Sequence, residues 1–282
     1  MAELQKGAPV ARALTEELAA RCMALRERGV VPTLAIVRVG EREDDLSYER
    51  GALKRCEKVG IEARRVLLPA DVSQDELLAA IKDINADPAV HGCLMFRPLP
   101  AGLDEDAVAA ALDPDKDVDS MTPASLLTTL SGRGEGFAPC TAEACMELLR
   151  AHGIDPAGRR VTVVGRSLVI GRPAALLLTR ADATVTLCHR KTPDLAARCR
   201  AADILLAAAG APGLITPECV RPGQIVLDAG ATALPDGTLR GDVTPAAAAI
   251  AACTPVPGGI GSVTTALLLR HTVQAAEKSH HF

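Results

Sequence analysis

Aromatic side chains are nearly missing from this 282-residue chain, which has no tryptophan, one tyrosine (Tyr48) and three phenylalanines. Rings usually supply much of the apolar area of a core, so here the core must be built from Ala, Leu, Val and Ile. No apolar run approaches the ~20 residues that a membrane helix needs, which argues against a spanning segment. The first residues lack a short apolar stretch followed by a small-residue cleavage site, so no secretory signal is expected. A surplus of one charge is also missing. Lys and Arg number 31 against 35 Asp and Glu, net −4, and the cations are scattered, so no basic face for nucleic acid is predicted. The nine cysteines form no C-x-x-C pair and are odd in number. They read as small buried hydrophobes in a reducing cytoplasm. The six histidines show no ligand spacing, so no metal is expected.

What is present is a helix–strand alternation long enough for two α/β domains. Apolar residues at helical spacing run from Val10 to Arg28, and Thr33 to Val39 reads as a buried strand. A charged loop, Glu41 to Asp45, precedes a helix from Leu46 to Val59 with Gly60 as its C-cap. Strands follow at Ile61–Leu68 and Gly92–Phe96, separated by a helix that the capping box Ser73-Gln-Asp-Glu76 opens. From Asp113 to Thr141 the pattern breaks at Pro114, Pro123, Pro139 and three glycines, which marks a linker and crevice wall. Thr141 is expected to cap a helix from Ala142 to His152.

The rest of the chain is organised around Val161-Thr-Val-Val-Gly-Arg-Ser-Leu-Val-Ile-Gly-Arg-Pro173. A β-branched strand runs into Gly165, and Gly171 and Pro173 open a helix rich in Ala and Leu. That geometry offers free N–H groups and a positive dipole end to a pyrophosphate. Taken alone, such a loop is equally a tight strand-to-helix turn, since Ser167 stands where a second glycine is usual. The next strand, Ala183–Cys188, favours the nucleotide. It ends in His189-Arg190-Lys191, with no acid to hold a ribose 2′-hydroxyl and cations suited to a 2′-phosphate. The reading is a Rossmann-type domain with a parallel sheet that takes NADP, NAD remaining open. Further strands are predicted near 203–208 and 224–228, with a last helix from Thr264 to Glu277.

Five motifs then occur in one order: Lys116-Asp-Val-Asp119, Pro139-Cys-Thr141, Val163-Val-Gly-Arg-Ser-Leu-Val-Ile-Gly-Arg-Pro173, Gly241-Asp-Val243 and Thr254-Pro-Val-Pro-Gly-Gly-Ile-Gly261. Together they resemble the methylenetetrahydrofolate dehydrogenase/methenyltetrahydrofolate cyclohydrolase family over almost the whole chain. The resemblance implies a two-domain α/β enzyme of one-carbon metabolism, cytoplasmic and homodimeric. Its folate-binding catalytic domain would be 1–140 joined by the C-terminal helix 263–282, and its nicotinamide-cofactor domain 141–262. Tyr48 and Asp119 would be the catalytic and substrate-binding residues, with Pro257, Gly258 and Gly259 shaping a substrate loop. Gly165, Arg166, Ser167 and Arg190 would receive the cofactor phosphates, with Thr141 and Ala231 nearby.

The chain departs from the family pattern at two positions. The family's lysine four residues after the tyrosine is here Ala52, and its active-site glutamine is here Phe96. Hydride removal from methylenetetrahydrofolate leaves a cation that two ring nitrogens stabilise, so positioning is most of that task. Hydrolysis of the methenyl product needs activated water and mobile protons, help that contributes about 10²–10⁴-fold. The resemblance therefore implies a dehydrogenase with weak or absent cyclohydrolase activity, working beside a separate cyclohydrolase. Three alternatives stay open: a bifunctional enzyme in which Arg50, Lys54 or Arg97 supplies the cation, a folate- or nucleotide-binding regulator without turnover, and another Rossmann dehydrogenase.

Overall fold

The computed structural model describes residues 6–234 and 236–280. The ends of the expected domain bounds, 1–5 and 281–282, lie outside the described residues. By backbone contacts the described chain divides into two units, residues 13–138 with 265–280 and residues 6–12 with 139–264.

In chain order the first elements are α1 (Gly7–Glu27), β1 (Thr33–Val39), α2 (Glu43–Val59), β2 (Glu62–Leu68), α3 (Gln74–Ala86) and β3 (Gly92–Met95). Two shorter helices follow, α4 (Glu105–Ala111) and α5 (Pro123–Ser131). The three strands form a parallel sheet in the order β2-β1-β3. All seven residues of the central β1 are buried, six of them apolar or β-branched as a strand covered on both faces requires and the seventh, Arg38, paired with Glu49. Helix α3 starts at the expected capping box, with Ser73 and Glu76 each satisfying the other's backbone N–H. Its Leu77, Ile81 and Ile84 pack with Ala35, Val37 and Val39 in one core cluster. Truncating a fully buried residue such as Leu77 to Ala would cost about 2–5 kcal/mol.

Two local expectations are corrected. Glu43, Asp44 and Asp45 are not loop but the first turn of α2, where acidic side chains meet the positive end of the helix dipole. The segment read as an irregular linker contains α5, capped by Thr122, opened by Pro123 and closed by a left-handed Gly132. Proline at the first helical position loses no hydrogen bond, so the residues that looked like breakers are start and stop signals.

The later elements are α6 (Cys140–Ala151), β4 (Arg160–Val164), α7 (Gly171–Arg180), β5 (Thr184–Cys188), α8 (Leu195–Ala201), β6 (Ile204–Ala207) and β7 (Ile225–Asp228). A small hairpin, β8 (Thr232–Ala233) with β9 (Leu239–Arg240), precedes α9 (Pro245–Ala248), β10 (Ala252–Cys253) and α10 (Ile260–Ser279). Five parallel strands line up as β10-β7-β6-β4-β5, so the chain leaves β4 in one direction and returns on its other side at β6. Ligands of open parallel sheets bind at such a reversal, beyond the carboxyl ends of the strands. Thr141 is not a helix cap. Pro139 takes that position, its carbonyl accepting from Glu143 N at 3.0 Å, and Thr141 lies inside the first turn. All nine cysteines are free and buried. Burial pushes the Cys56, Cys93 and Cys145 thiols up to about 12, which keeps them protonated and unreactive. Among the described residues, no helix is long and apolar enough to cross a membrane, and no group of three or more His, Cys, Asp or Glu could hold a metal ion.

Candidate functional site

Within the unit built on β1, the Lys116-Asp-Val-Asp119 motif explains itself residue by residue. Lys116 Nζ donates to the carbonyls of Ile84, Asn85 and Asp87 at 2.7, 2.9 and 2.7 Å, closing the C-terminus of α3. Burial holds its ammonium below the usual lysine value. Asp117 is completely buried and accepts from Met121 N, Thr122 N and Ser125 Oγ at 2.9, 2.8 and 2.6 Å. Val118 fills the space that Gly92 leaves, since a Cβ on Gly92 would lie 2.8 Å from it. The Val118 carbonyl accepts from His271 Nδ1 at 2.8 Å, and the His271 ring stacks on Phe137 at 4.5 Å between centroids. Three of the four residues are thus fixed, and Asp119 presents a partly exposed carboxylate. Its Oδ2 lies 3.7 Å from Arg97 Nη2, while Arg97 Nη1 lies 3.8 Å from Glu105.

Tyr48 stands on α2, 43% exposed, and its ring meets Phe96 edge-on at 5.6 Å and 88°. Phe96 leaves the end of β3, its N–H donating to Val37 O at 3.1 Å, so the sheet fixes where the ring points. Ala52 follows Tyr48 on the same helix face and is buried. Beneath that face, Glu49 is buried between Arg38, which donates to it at 2.9 Å, and Arg65. This charged pair-and-a-half sets the rotation of α2 against β1 and β2. Sequence reasoning missed the next residue of the stripe, Arg55, which donates to Thr265 Oγ1 at 3.3 Å. The seven-residue spacing from Tyr48 was the signal that could have found it.

In the unit built on β4, Gly165 and Gly171 are forced by contact. A Cβ on Gly165 would stand 2.0 Å from Ala208 O, and one on Gly171 would stand 2.2 Å from Gly165 O. Ser167 Oγ accepts from Ile170 N at 3.1 Å and Gly171 N at 3.4 Å. Both lone pairs are then occupied and the hydroxyl proton points elsewhere, which suits a donor to an anion. Val164 and Cys188 are register partners, so Arg166 and Arg190 leave adjacent strands at one level, both exposed. His189 and Thr192 close the turn that carries Arg190, with His189 N donating to Thr192 Oγ1 at 2.9 Å and Thr192 N to His189 O at 2.8 Å. The Gly165 loop is flanked by the loop after β6, which Asp242 holds. Its buried carboxylate accepts from Ala209 N, Gly210 N and Ala211 N at 2.6, 3.1 and 2.7 Å. Asp228, at the end of β7, accepts in turn from Gly230 N, Asp242 N and Val243 N, each at 3.0 Å. Burial nevertheless pushes the Asp228 carboxyl above its usual value, with the Asp242 charge adding to the effect. Ala231 follows this clamp and is exposed, and Thr141 sits half-buried on α6, which packs against α7. Pro257, Gly258 and Gly259 belong to this same unit. Gly7 N donates to Gly258 O at 2.9 Å, and a Cβ on Gly7 would lie 2.0 Å from Gly259 O.

Known proteins give a consistent answer. Residues 139–280 match the model of the tetrahydrofolate dehydrogenase/cyclohydrolase NAD(P)-binding domain, and residues 5–119 match the catalytic domain of the same family. The bifunctional protein FolD of Carboxydothermus hydrogenoformans is 46% identical over 281 residues, covering 98% of each chain. Among solved structures, the bifunctional enzyme FolD of Campylobacter jejuni superposes with a TM-score of 0.95 at 36% identity, covering 98% of both chains. The Trypanosoma brucei dehydrogenase–cyclohydrolase, solved with NADP and an inhibitor, gives 0.93 at 37% identity over 100% of this chain and 99% of its own. With both family domains matched in order over nearly its full length, the chain belongs to the tetrahydrofolate dehydrogenase/cyclohydrolase family.

Proposed function

We propose that this protein oxidises 5,10-methylenetetrahydrofolate to the methenyl compound with NADP, and that it hydrolyses the methenyl compound slowly or not at all. The observation that carries the second clause is the Tyr48 face of α2. Where the resemblance expects a lysine there is the buried methyl of Ala52, and where it expects a glutamine there is the ring of Phe96 against Tyr48. Neither can give or take a proton. The three cations considered from sequence do not replace them. Arg50 and Lys54 are exposed and lie on other faces of the helix, two and six residues from Tyr48. Arg97 is engaged with Asp119 and Glu105, and a guanidinium does not exchange protons in water's working range.

The roles are those that the family resemblance implies. Asp119 takes hydrogen bonds from the amino-pyrimidine edge of the pterin, Tyr48 lines the same site, and Pro257, Gly258 and Gly259 shape a substrate loop. The cofactor suits the cradle after β4: glycines that admit no Cβ, a pre-aimed Ser167 hydroxyl and two arginines at one level. Gly165, Arg166, Ser167 and Arg190 hold its phosphates, with Thr141 and Ala231 beside them, and the 2′-phosphate falls to the arginines. Bound there, the nicotinamide supplies the hydride acceptor. The protein's own part is to orient the folate, exclude water and leave the resulting cation to the substrate's nitrogens. We assign folate binding to residues 1–140 with 263–282 and cofactor binding to 141–262, in a cytoplasmic homodimer served by a separate cyclohydrolase.

A paired assay tests this reading. Purified protein with methylenetetrahydrofolate should form NADPH, faster than NADH from NAD, and methenyltetrahydrofolate should decay at close to its rate in buffer. Methenyl decay well above the buffer rate would establish the bifunctional alternative, and absence of NADPH formation would leave the regulator.

A further inference from the structure

We infer that Arg55 is a substrate-binding residue, a fixed cation that serves the folate site from one helical turn beyond the vacant lysine position. The inference rests on the folate reading above and names a residue that reading does not contain.

At 100° per residue, Tyr48, Gly51, Ala52 and Arg55 fall in one stripe of α2 about 100° wide. The stripe has a distinct relief. Gly51 has no side chain and Ala52 only a buried methyl, so its middle is a floor of small residues. At one end stands the exposed ring of Tyr48, braced by Phe96. At the other end Arg55 is exposed but does not run straight out from the helix. Long helical side chains lean toward the helix N-terminus, and this one reaches back over the floor. Its Nη1 lies 3.6 Å from the position of an ideal Cβ on Gly51 and donates to Thr265 Oγ1 at 3.3 Å. Thr265 is buried on α10 and has a defined orientation, so the bond tethers the guanidinium. Four further N–H donors remain on that group by inventory. An aromatic wall, a floor of small residues and an anchored donor set match a flat aryl–amide ligand that ends in oxygen acceptors. That is the chemistry of a folate. Arg55 donates to a carbonyl or carboxylate oxygen of the folate, and because its charge is permanent the contribution is to binding, not to proton transfer.

The competing role is a purely structural tie between α2 and α10, and kinetics separate the two. In the purified enzyme with NADP, Arg55→Ala should raise KM for methylenetetrahydrofolate about tenfold or more, with kcat and the NADP KM changed less than about threefold. Arg55→Lys should recover part of that loss, since an ammonium keeps the charge without the fork. Ala52→Lys alone should also weaken folate binding, because it sets two cations three residues apart on one face. The double variant Ala52→Lys/Arg55→Ala should bind folate better than either single variant. A folate KM unchanged in Arg55→Ala, or a double variant no better than the worse single one, would overturn the assignment. So would a loss confined to thermal stability. If the parent forms no NADPH the functional reading has failed, and calorimetric titration of parent and Arg55→Ala with tetrahydrofolate then decides the binding role by itself. Equal affinities there would reject it.

Discussion

Replacing Asp242 by Asn tests how the nucleotide cradle is held in place. The side chain is fully buried, and its two oxygens accept three backbone N–H groups from consecutive residues, Ala209, Gly210 and Ala211. Asn keeps the volume but has one acceptor oxygen. Whichever way the amide turns, its NH2 group faces at least one of those N–H donors. A hydrogen bond to a charged acceptor is worth about 1.5–3 kcal/mol, and a buried donor left unpaired costs about 1–3 more. The expected loss is therefore about 3–5 kcal/mol, read as a shift in the urea unfolding midpoint at constant slope. A kinetic signature should accompany it. The held loop begins at Ala208, the residue whose carbonyl a Cβ on Gly165 would overlap. Slackening it should loosen the Gly165 turn and raise the NADP KM about tenfold or more, leaving the folate KM within about threefold. A stability loss under about 1 kcal/mol, or a rise in the folate KM in place of the NADP KM, would refute the clamp as described.

Three further expectations concern other parts of the molecule. Arg190→Ala should weaken NADP but not NAD, by the ~1.5–3 kcal/mol of a charge-assisted contact, and equal kcat/KM for the two cofactors in the parent would remove its basis. Asp119→Ala should raise the folate KM by one to two orders of magnitude, since it would strip the acceptor from the proposed pterin contact and leaves Arg97 with only Glu105 among its two acidic neighbours here; parental folate affinity would reduce Asp119 to a turn residue. His91 gives a pH dependence. Its Nδ1 accepts from Thr33 N at 3.2 Å, its Nε2 is buried without a hydrogen-bond partner, and burial, with the charges of His280 and Lys116, lowers its value to about 4. The unfolded chain takes up this proton first as pH falls, so the stabilising contribution is complete above about 6.5 and lost between about 6.5 and 4, up to about 3 kcal/mol. Unfolding titrations at several pH values should show a shallower decline in His91→Asn, and parallel curves for parent and variant would contradict the assignment.

The limits of what the sequence discloses have physical causes. Strand β1 was legible because five apolar or β-branched residues follow one another from Thr33 to Val37, and α3 because its capping box is a local code. Helix α5 was not, because Pro123 and Gly132 are ambiguous: the same residues break a helix inside it and delimit it at its ends. The motif around Lys116 could be seen but not apportioned. Nothing in four letters says that Asp117 turns inward to three donors while Asp119 turns outward, since that depends on Ser125 and on a histidine more than 150 residues away. Arg55 was passed over for a related reason. Attention to the four-residue spacing from Tyr48 found an alanine, and the side chain that reaches back to that place starts a turn later. Long side chains carry charge to positions their Cα atoms do not occupy.

Placing a permanent cation near this reaction has an electrostatic consequence that fits where Arg55 is held. Oxidation of the methylene compound creates positive charge on the folate. A guanidinium about 4 Å from the reacting carbon would oppose that by about 4 kcal/mol at an effective dielectric constant near 20, enough to slow hydride transfer nearly a thousandfold. At about 10 Å the same charge would oppose it by less than about 2 kcal/mol. A lysine can sit closer because it sheds its proton when the site turns positive, and it uses that proton in hydrolysis. An arginine cannot, so it is tolerable only at a distance and only if it stays there. The bond to Thr265 supplies that restraint, and Ala52 adds no second charge beside it. On the proposed function, Ala52, Phe96 and Arg55 would form a single arrangement: a site that binds folate with a fixed charge, lets a hydride leave, and has no proton to offer the water that would follow.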